Sequence, residues 1–226
     1  MTPKAVLFDL DETLIRRAIR RFVADQYARH TAALAPATAD QFVNLFLEIE
    51  DDGRVDKAII YPAVIKALRI TGITAEALLA DYRAVYPSFT TPNPGALDTV
   101  RRLRAHGVKT GIITNGSGAM QNGKIDTIGI RPLLDCVLVS ELVGLKKPDP
   151  AIFRVAADQL GVAVTDCVFI GDNPELDIAG ALSAGFGAIW LRAGTPWPPA
   201  QPPAPFTITA IPDCLPLLGL APLGTG

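Results

Sequence analysis

Five short apolar runs constrain this chain more than any other feature of its sequence. They are Ala5-Val6-Leu7-Phe8, Thr110-Gly111-Ile112-Ile113, Cys136-Val137-Leu138-Val139, Cys167-Val168-Phe169-Ile170 and Ala188-Ile189-Trp190-Leu191, each followed by polar or glycine-containing residues. Apolar character that is nearly continuous, without alternation, marks strands covered on both faces, as in a parallel sheet. Segments of helical period, residues 119–128, 151–160 and 176–184, lie between the last four runs, and Leu97, Val100 and Leu103 at spacing three precede the second. Strand alternating with helix predicts an α/β fold with a doubly wound, Rossmann-like parallel sheet.

Between the first run and the second the pattern breaks. Phe42, Leu45, Phe46 and Ile49 form one helical face, Val64, Ile65 and Leu68 another, and Leu78, Tyr82, Val85 and Tyr86 a third, with no β-like run among them. Roughly 75 helical residues exceed any ordinary connection between a strand and the next helix. The expectation is a discontinuous core, residues 1–15 and 93–226, with an inserted all-helical subdomain over 16–92. Within the core, residues 193–226 form a tail of different composition: nine of the chain's 19 prolines fall between Pro196 and Pro222. A last short strand at 206–208 and a helical turn at 215–218 are expected there.

A chain of 226 residues that is 49% hydrophobic holds ample side chain for a core, which excludes a disordered or solvating segment. Its net charge of −2 supplies no basic field for a nucleic-acid backbone. Cys136, Cys167 and Cys214 are odd in number and form no C-x-x-C pair, so reduced thiols are expected, with no zinc site or disulfide framework. The longest uncharged stretch, 193–212, is long enough to span a bilayer, but seven of its residues are proline. A cytoplasmic protein, monomer or homodimer, with a small-molecule partner and no membrane or nucleic-acid polymer, is the expectation.

Polar residues at the ends of the runs carry the candidate chemistry. The first run ends in Asp9-Leu10-Asp11-Glu12-Thr13, two acids that the turning backbone can bring toward one point. Such acids repel unless a cation or a shared proton lies between them; the alternative is an Asp-rich turn that caps a helix. The second run ends in Thr114-Asn115-Gly116-Ser117, an anion cradle or, equally simply, a helix cap. It is no dinucleotide fingerprint, because Gln121 stands where the third glycine belongs. After the third run, Lys146-Lys147-Pro148-Asp149-Pro150 places a lysine before a helix that Asp149 can cap; a solvated loop lysine is the plain alternative. The fourth ends in Gly171-Asp172-Asn173-Pro174-Glu175-Leu176-Asp177, which also suits the first turn of a helix.

Joint position decides between these readings. Doubly wound sheets bind ligands at the carboxyl ends of their strands; Asp9, Thr114 and Asp172 fall there, with Lys147 just beyond the third strand. Neighbouring strands are about 4.8 Å apart, so groups on adjacent ends can share a ligand. Asp9, Asp11, Asp172 and Asp177 against Lys147 leave a local charge of roughly −3. A phosphate could not enter without a divalent cation, and oxygen donors without His or Cys select a hard ion such as Mg²⁺.

In its four motifs, taken in order, the chain closely resembles the haloacid dehalogenase-like hydrolase superfamily: Asp9-Leu10-Asp11-Glu12-Thr13, Thr114-Asn115, Lys147-Pro148, and Gly171-Asp172 with Asp177. The resemblance runs from about Lys4 to Arg192, and the helical insertion resembles that family's C1-type cap. It implies a Mg²⁺-dependent phosphatase acting on a small phosphate monoester. Asp9 would be the nucleophile, forming an aspartyl-phosphate, and Asp11 the general acid and base. Mg²⁺ would be held by the Asp9 carboxylate, the Asp11 backbone carbonyl and Asp172. Thr114, Asn115, Lys147 and the amides of Leu10 and Asp11 would stabilise the phosphoryl oxygens, and Asp177 would orient Lys147 or a metal-bound water.

Asp11 argues against the 2-haloacid dehalogenase branch, which lacks a second aspartate there. A sugar-phosphate phosphomutase, or a non-catalytic phospho-receiver on a similar sheet, are the alternatives. Substrate choice would lie in the cap, where Arg16 and Arg20, expected on one face of its first helix, would reach a second anionic group; a solvated basic face is the competing reading.

Overall fold

The computed structural model describes residues 2–53, 55–194, 196–199 and 202–220. Strand β1 (Ala5–Phe8) is buried along its whole length. A two-residue strand, β2 (Ile15–Arg16), follows it and leads into α1 (Ile19–Arg29), α2 (Thr31–Leu34), α3 (Ala39–Glu50), α4 (Lys57–Leu68) and α5 (Ala75–Val85). The chain returns through β3 (Thr91–Pro92), which pairs antiparallel with β2, Ile15 opposite Pro92 and Arg16 opposite Thr91. The expectation of helices alone between residues 16 and 92 is therefore corrected at its edges; strands of two residues are too short to show any period in sequence.

The remainder alternates as expected: α6 (Ala96–Ala105), β4 (Lys109–Thr114), α7 (Gly118–Thr127), β5 (Cys136–Val139), α8 (Ser140–Val143), α9 (Pro150–Leu160) and β6 (Cys167–Gly171). A wide π-helical turn, Pro174–Ala179, then runs into α10 (Gly180–Ala184), followed by β7 (Gly187–Leu191), β8 (Thr207–Ile208) and α11 (Cys214–Leu217).

Six strands form one parallel sheet in the order β5-β4-β1-β6-β7-β8. Both faces are covered, which is why the runs do not alternate. Val6, Phe8, Ile112, Ile170 and Ile189 enter one apolar cluster with Val100 and Leu103 of α6. Ala5, Leu7, Ile113, Phe169 and Ala188 enter the other with Ile152, Phe153 and Ala156 of α9. Each buried Phe or Leu side chain contributes about 1.5–3 kcal/mol by leaving water. The tail joins the core through β8, and Cys214, Leu215 and Leu218 are buried against it. Residues 221–226 of the expected tail lie outside the described residues.

By its contacts the chain divides into two units, Met1–Arg17 with Thr91–Gly226, and Ala18–Thr90. Within the helical unit, Thr38, Asp56 and Thr74 cap α3, α4 and α5 through their side chains. Phe22 meets Tyr82, Tyr86 and Phe89 edge-on at 5.5 Å each. Buried Gln26 donates to Leu78 O and to Asp81 Oδ2, and accepts from the Tyr61 hydroxyl. The face expected for α3 is shifted: Phe42 and Phe46 are buried together with Val43 and Glu50, while Leu45 and Ile49 are only half-buried. Among the described residues no helix is long and apolar enough to cross a membrane.

Candidate active site

Strand order creates the site. The chain leaves β1 toward β4 and β5, then crosses back to β6 on the other side of β1, so the connections diverge beside the carboxyl end of β1. Ligands of open α/β sheets bind in such a crevice. The register sets the depth: Phe8 lies opposite Ile170, and the Asp9 amide continues the ladder by donating to Ile170 O at 2.9 Å. Asp9 and Asp172 thus emerge from neighbouring strand ends.

Beyond Asp9 the chain turns sharply. The amides of Leu14 and Ile15 both donate to Leu10 O, and Glu12 has φ 58°, left-handed for a residue with a side chain. The Glu12 carboxylate accepts from the Arg17 amide at 3.1 Å, which ties the turn to the start of the insertion.

Lys147 is the hub, with only 3% of its side chain exposed. Its Nζ donates to Asp9 Oδ1 and to Asp177 Oδ1, both at 2.6 Å. Asp177 also accepts from the Asn173 amide through Oδ2, at 2.9 Å. The π-helical turn swings Asp177 inward, so close to the end of β6 that a Cβ on Gly171 would lie 2.4 Å from Asp177 Oδ2. Only glycine admits it. Asp149 caps α9 by accepting from the Ala151 amide, which fixes the chain just after Lys147.

Asn115 positions the lysine. Its Oδ1 accepts from the Lys147 amide at 2.9 Å and its Nδ2 donates to Lys147 O at 3.0 Å. Thr114, buried at the end of β4, accepts through Oγ1 from Gln121 Nε2 at 2.6 Å. Asp172 is held from behind, its carbonyl accepting from Trp190 Nε1 at 2.9 Å.

Asp9, Asp172 and Asp177 each offer a carboxylate oxygen within 4.8 Å of the others. Burial first, and then the nearby Asp177 and Asp172 charges, push the Asp9 carboxyl up to about 8 against the pull of Lys147. Burial and Asp177 push Asp172 up to about 7. Burial works against the Lys147 ammonium, but Asp177 and Asp9 outweigh it and hold its pKa above the usual lysine value. One ammonium is too little positive charge for three clustered acids. An all-oxygen set short of positive charge fits a hard divalent cation.

Asp11 faces different partners. Lys124 Nζ donates to Asp11 Oδ1 at 2.7 Å and to Oδ2 at 3.0 Å, and Gln121 Nε2 donates to Oδ2 at 2.9 Å. Burial would raise the Asp11 carboxyl, but Lys124 above all, with Gln121, holds it below the usual range. The sequence reading missed Lys124 and gave Gln121 no role. The signal available was a Gln-x-x-Lys spacing, which sets two polar side chains on one face of α7.

The expected Arg16–Arg20 helical face is corrected. Arg16 lies in β2, where its Nε donates to Asn93 Oδ1 at 3.0 Å, and α1 begins only at Ile19. Arg20 is exposed on α1. The pairing of β2 with β3 claims Arg16 before any helix can start.

Fold and site together define an α/β protein with an acidic, oxygen-lined centre at its strand ends. The chain belongs to the haloacid dehalogenase-like hydrolases, whose family model matches residues 3–185. It is 39% identical over 104 residues to pyrimidine 5'-nucleotidase YjjG of Escherichia coli (strain K12), a match covering 46% of each chain, so it spans about half the length of that relative. It is 30% identical over 198 residues to the glyceraldehyde 3-phosphate phosphatase of Methanothermobacter thermautotrophicus, covering 84% of this chain and 86% of the relative. Among solved structures it is similar to a HAD phosphatase from Thermococcus onnurineus, with TM-score 0.68 and 28% identity, covering 96% of this chain and 98% of the other.

Proposed function

We propose that this chain is a Mg²⁺-dependent phosphatase that hydrolyses a small phosphate monoester through an aspartyl-phosphate on Asp9. The observation that carries the reading is the shared lysine: Lys147 Nζ lies 2.6 Å from both Asp9 and Asp177, with Asp172 completing an acidic cluster. Such a centre binds an anion only when a cation joins it. The names of the phosphatase and nucleotidase relatives support the same substrate class.

Asp9 Oδ1 accepts from Lys147, which leaves Oδ2 to attack phosphorus in line. As the new O–P bond forms, the bond to the leaving oxygen breaks, and that oxygen takes its proton from Asp11. Asp11, now a carboxylate, removes a proton from water; the water attacks phosphorus and the Asp9–phosphorus bond breaks. Lys147, Thr114 and the amides of Leu10 and Asp11 stabilise the phosphoryl oxygens, and Asn115 serves them by holding the Lys147 backbone in place. The Asp9 carboxylate, the Asp11 carbonyl and Asp172 would hold Mg²⁺, which would supply Lewis-acid charge at those oxygens. Asp177 keeps Lys147 aimed. Substrate selection is assigned to the inserted helical unit, to be read as a selective rise in KM when its residues are replaced by alanine.

The test is phosphate release from a panel of small esters: sugar phosphates, nucleoside monophosphates, phosphoglycolate and phosphorylated trioses. Release from at least one ester with Mg²⁺, abolished by EDTA and restored by Mg²⁺, is expected. No release from any ester, despite Mg²⁺ binding, would overturn the proposal in favour of a phospho-receiver.

A further inference from the structure

The proline-rich tail takes no part in the phosphatase proposal, yet it reaches the acidic cluster in two steps. Asp172 is the first residue past β6, whose last residue, Gly171, lies opposite Trp190 of β7. The Asp172 carbonyl lies beyond that ladder, and the Trp190 indole Nε1 supplies its donor at 2.9 Å. Trp190 is 6% exposed and packs in the same apolar cluster as Phe169 and Ala188. A metal-ligating side chain takes its direction from the backbone that bears it, so a rigid donor that fixes the Asp172 peptide fixes where its carboxylate points.

Trp197 of the tail meets the Trp190 ring edge-on, with centroids 5.0 Å apart. Its own Nε1, buried, has no hydrogen-bond partner among the described residues, so it acts on Trp190 through its ring. Pro196 and Pro198 flank it and limit the backbone that presents it, because proline fixes its own φ and holds the residue before it extended. Ala204 packs on the same cluster, and β8 then pairs with β7, Thr207 opposite Trp190. The Trp190 amide donates to Phe206 O at 2.9 Å, so the tail holds this residue by backbone as well as by ring.

We infer that Trp190 is a positioning residue for the proposed Mg²⁺ ligand Asp172 and that Trp197 braces it, so that the tail sets the affinity of the acidic cluster for the cation. The inference rests on the Mg²⁺ site of the phosphatase reading and extends it to the tail. Neither tryptophan is a ligand; both act through the Asp172 backbone.

The two rings should answer to phenylalanine in opposite ways, because Trp190 uses its N–H and Trp197 does not. The Mg²⁺ dissociation constant of the full chain is read from the rise of its thermal unfolding midpoint with Mg²⁺ concentration, with no substrate present. Trp190→Phe keeps a ring and loses the donor; it should weaken Mg²⁺ binding at least about tenfold, the loss typical of a residue that orients a metal ligand. Trp197→Phe should bind Mg²⁺ within about twofold of wild type, and Trp197→Ala, which removes the edge-on ring, about threefold more weakly. A purely structural role would lower the midpoint in EDTA and leave the dissociation constant unchanged. An unchanged constant in Trp190→Phe, or equal constants in Trp197→Phe and Trp197→Ala, would overturn the inference and leave the phosphatase reading standing. No Mg²⁺ binding by the wild type would overturn both.

A second readout serves if Trp190→Phe fails to fold. The chain has two tryptophans, so Trp197→Phe and Trp197→Ala each leave one indole N–H signal in the NMR spectrum, that of Trp190. Added Mg²⁺ should slow its exchange with water in Trp197→Phe, since a bond that favours the cation is favoured by it to the same degree. Exchange in Trp197→Ala should be at least about threefold faster than in Trp197→Phe. Exchange that ignores Mg²⁺, or that is the same in both variants, would overturn the inference.

Discussion

The side-chain amide of Asn115 grips both backbone polar groups of Lys147, accepting from its N–H at 2.9 Å and donating to its carbonyl at 3.0 Å. These residues lie 32 apart in sequence, at the ends of different strand connections, and the clamp sets where the buried ammonium stands. Two hydrogen bonds at about 0.5–1.5 kcal/mol each give an expected loss of about 1–3 kcal/mol for Asn115→Ala, measured by urea unfolding. A loss below about 0.5 kcal/mol would show that the lysine loop holds itself.

Gly171→Ala tests how Asp177 enters the site. Backbone strain plays no part; the added methyl would meet the Asp177 carboxylate 2.4 Å away. Overpacking of this kind costs about 1–3 kcal/mol. The shift of thermal unfolding by Mg²⁺ should also shrink, because Asp177 must give way and Lys147 loses a partner.

Acidity supplies a third prediction. The folded chain keeps protons on Asp9 and Asp172, with carboxyls at about 8 and about 7, that the unfolded chain releases near pH 4. Groups raised in this way contribute stability that is fully present below about pH 4 and lost as pH rises through the folded values. Asp11 and Asp135, both lowered, act in the opposite sense and only below that window. In EDTA, the urea midpoint should fall as pH rises from about 5 to about 8. Asp172→Asn should flatten the slope, and Mg²⁺ should raise the midpoint most at the alkaline end. A midpoint that rises over this range would contradict the charge balance described for the site.

How much of this was legible in the sequence follows from physical range. β1, β4, β5, β6 and β7 were readable because burial on both faces leaves continuous apolar runs. Asp9 and Asp172 were readable as neighbours because each follows such a run directly, and a parallel register carries strand ends to one level. β2 and β3 were not, since two residues make no period. Arg16 was misassigned for the same reason. The Lys124–Asp11 contact joins residues 113 apart, and Lys124 sits in α7 without disturbing its pattern. The Asn115 clamp was equally hidden: the sequence marks Asn115 as a polar strand-end residue but gives no hint that its amide is spent on backbone.

The most direct measurement of the central claim is to find the phosphoryl group on its nucleophile. The protein is mixed with a turned-over ester and Mg²⁺, quenched rapidly in acid and digested for mass spectrometry. The expected result is an added phosphoryl on the peptide containing Asp9, absent from Asp9→Asn, which keeps the wild-type circular dichroism and loses at least about 1,000-fold in turnover. Turnover by Asp9→Asn within about tenfold of wild type, or phosphorylation at a different residue, would contradict it.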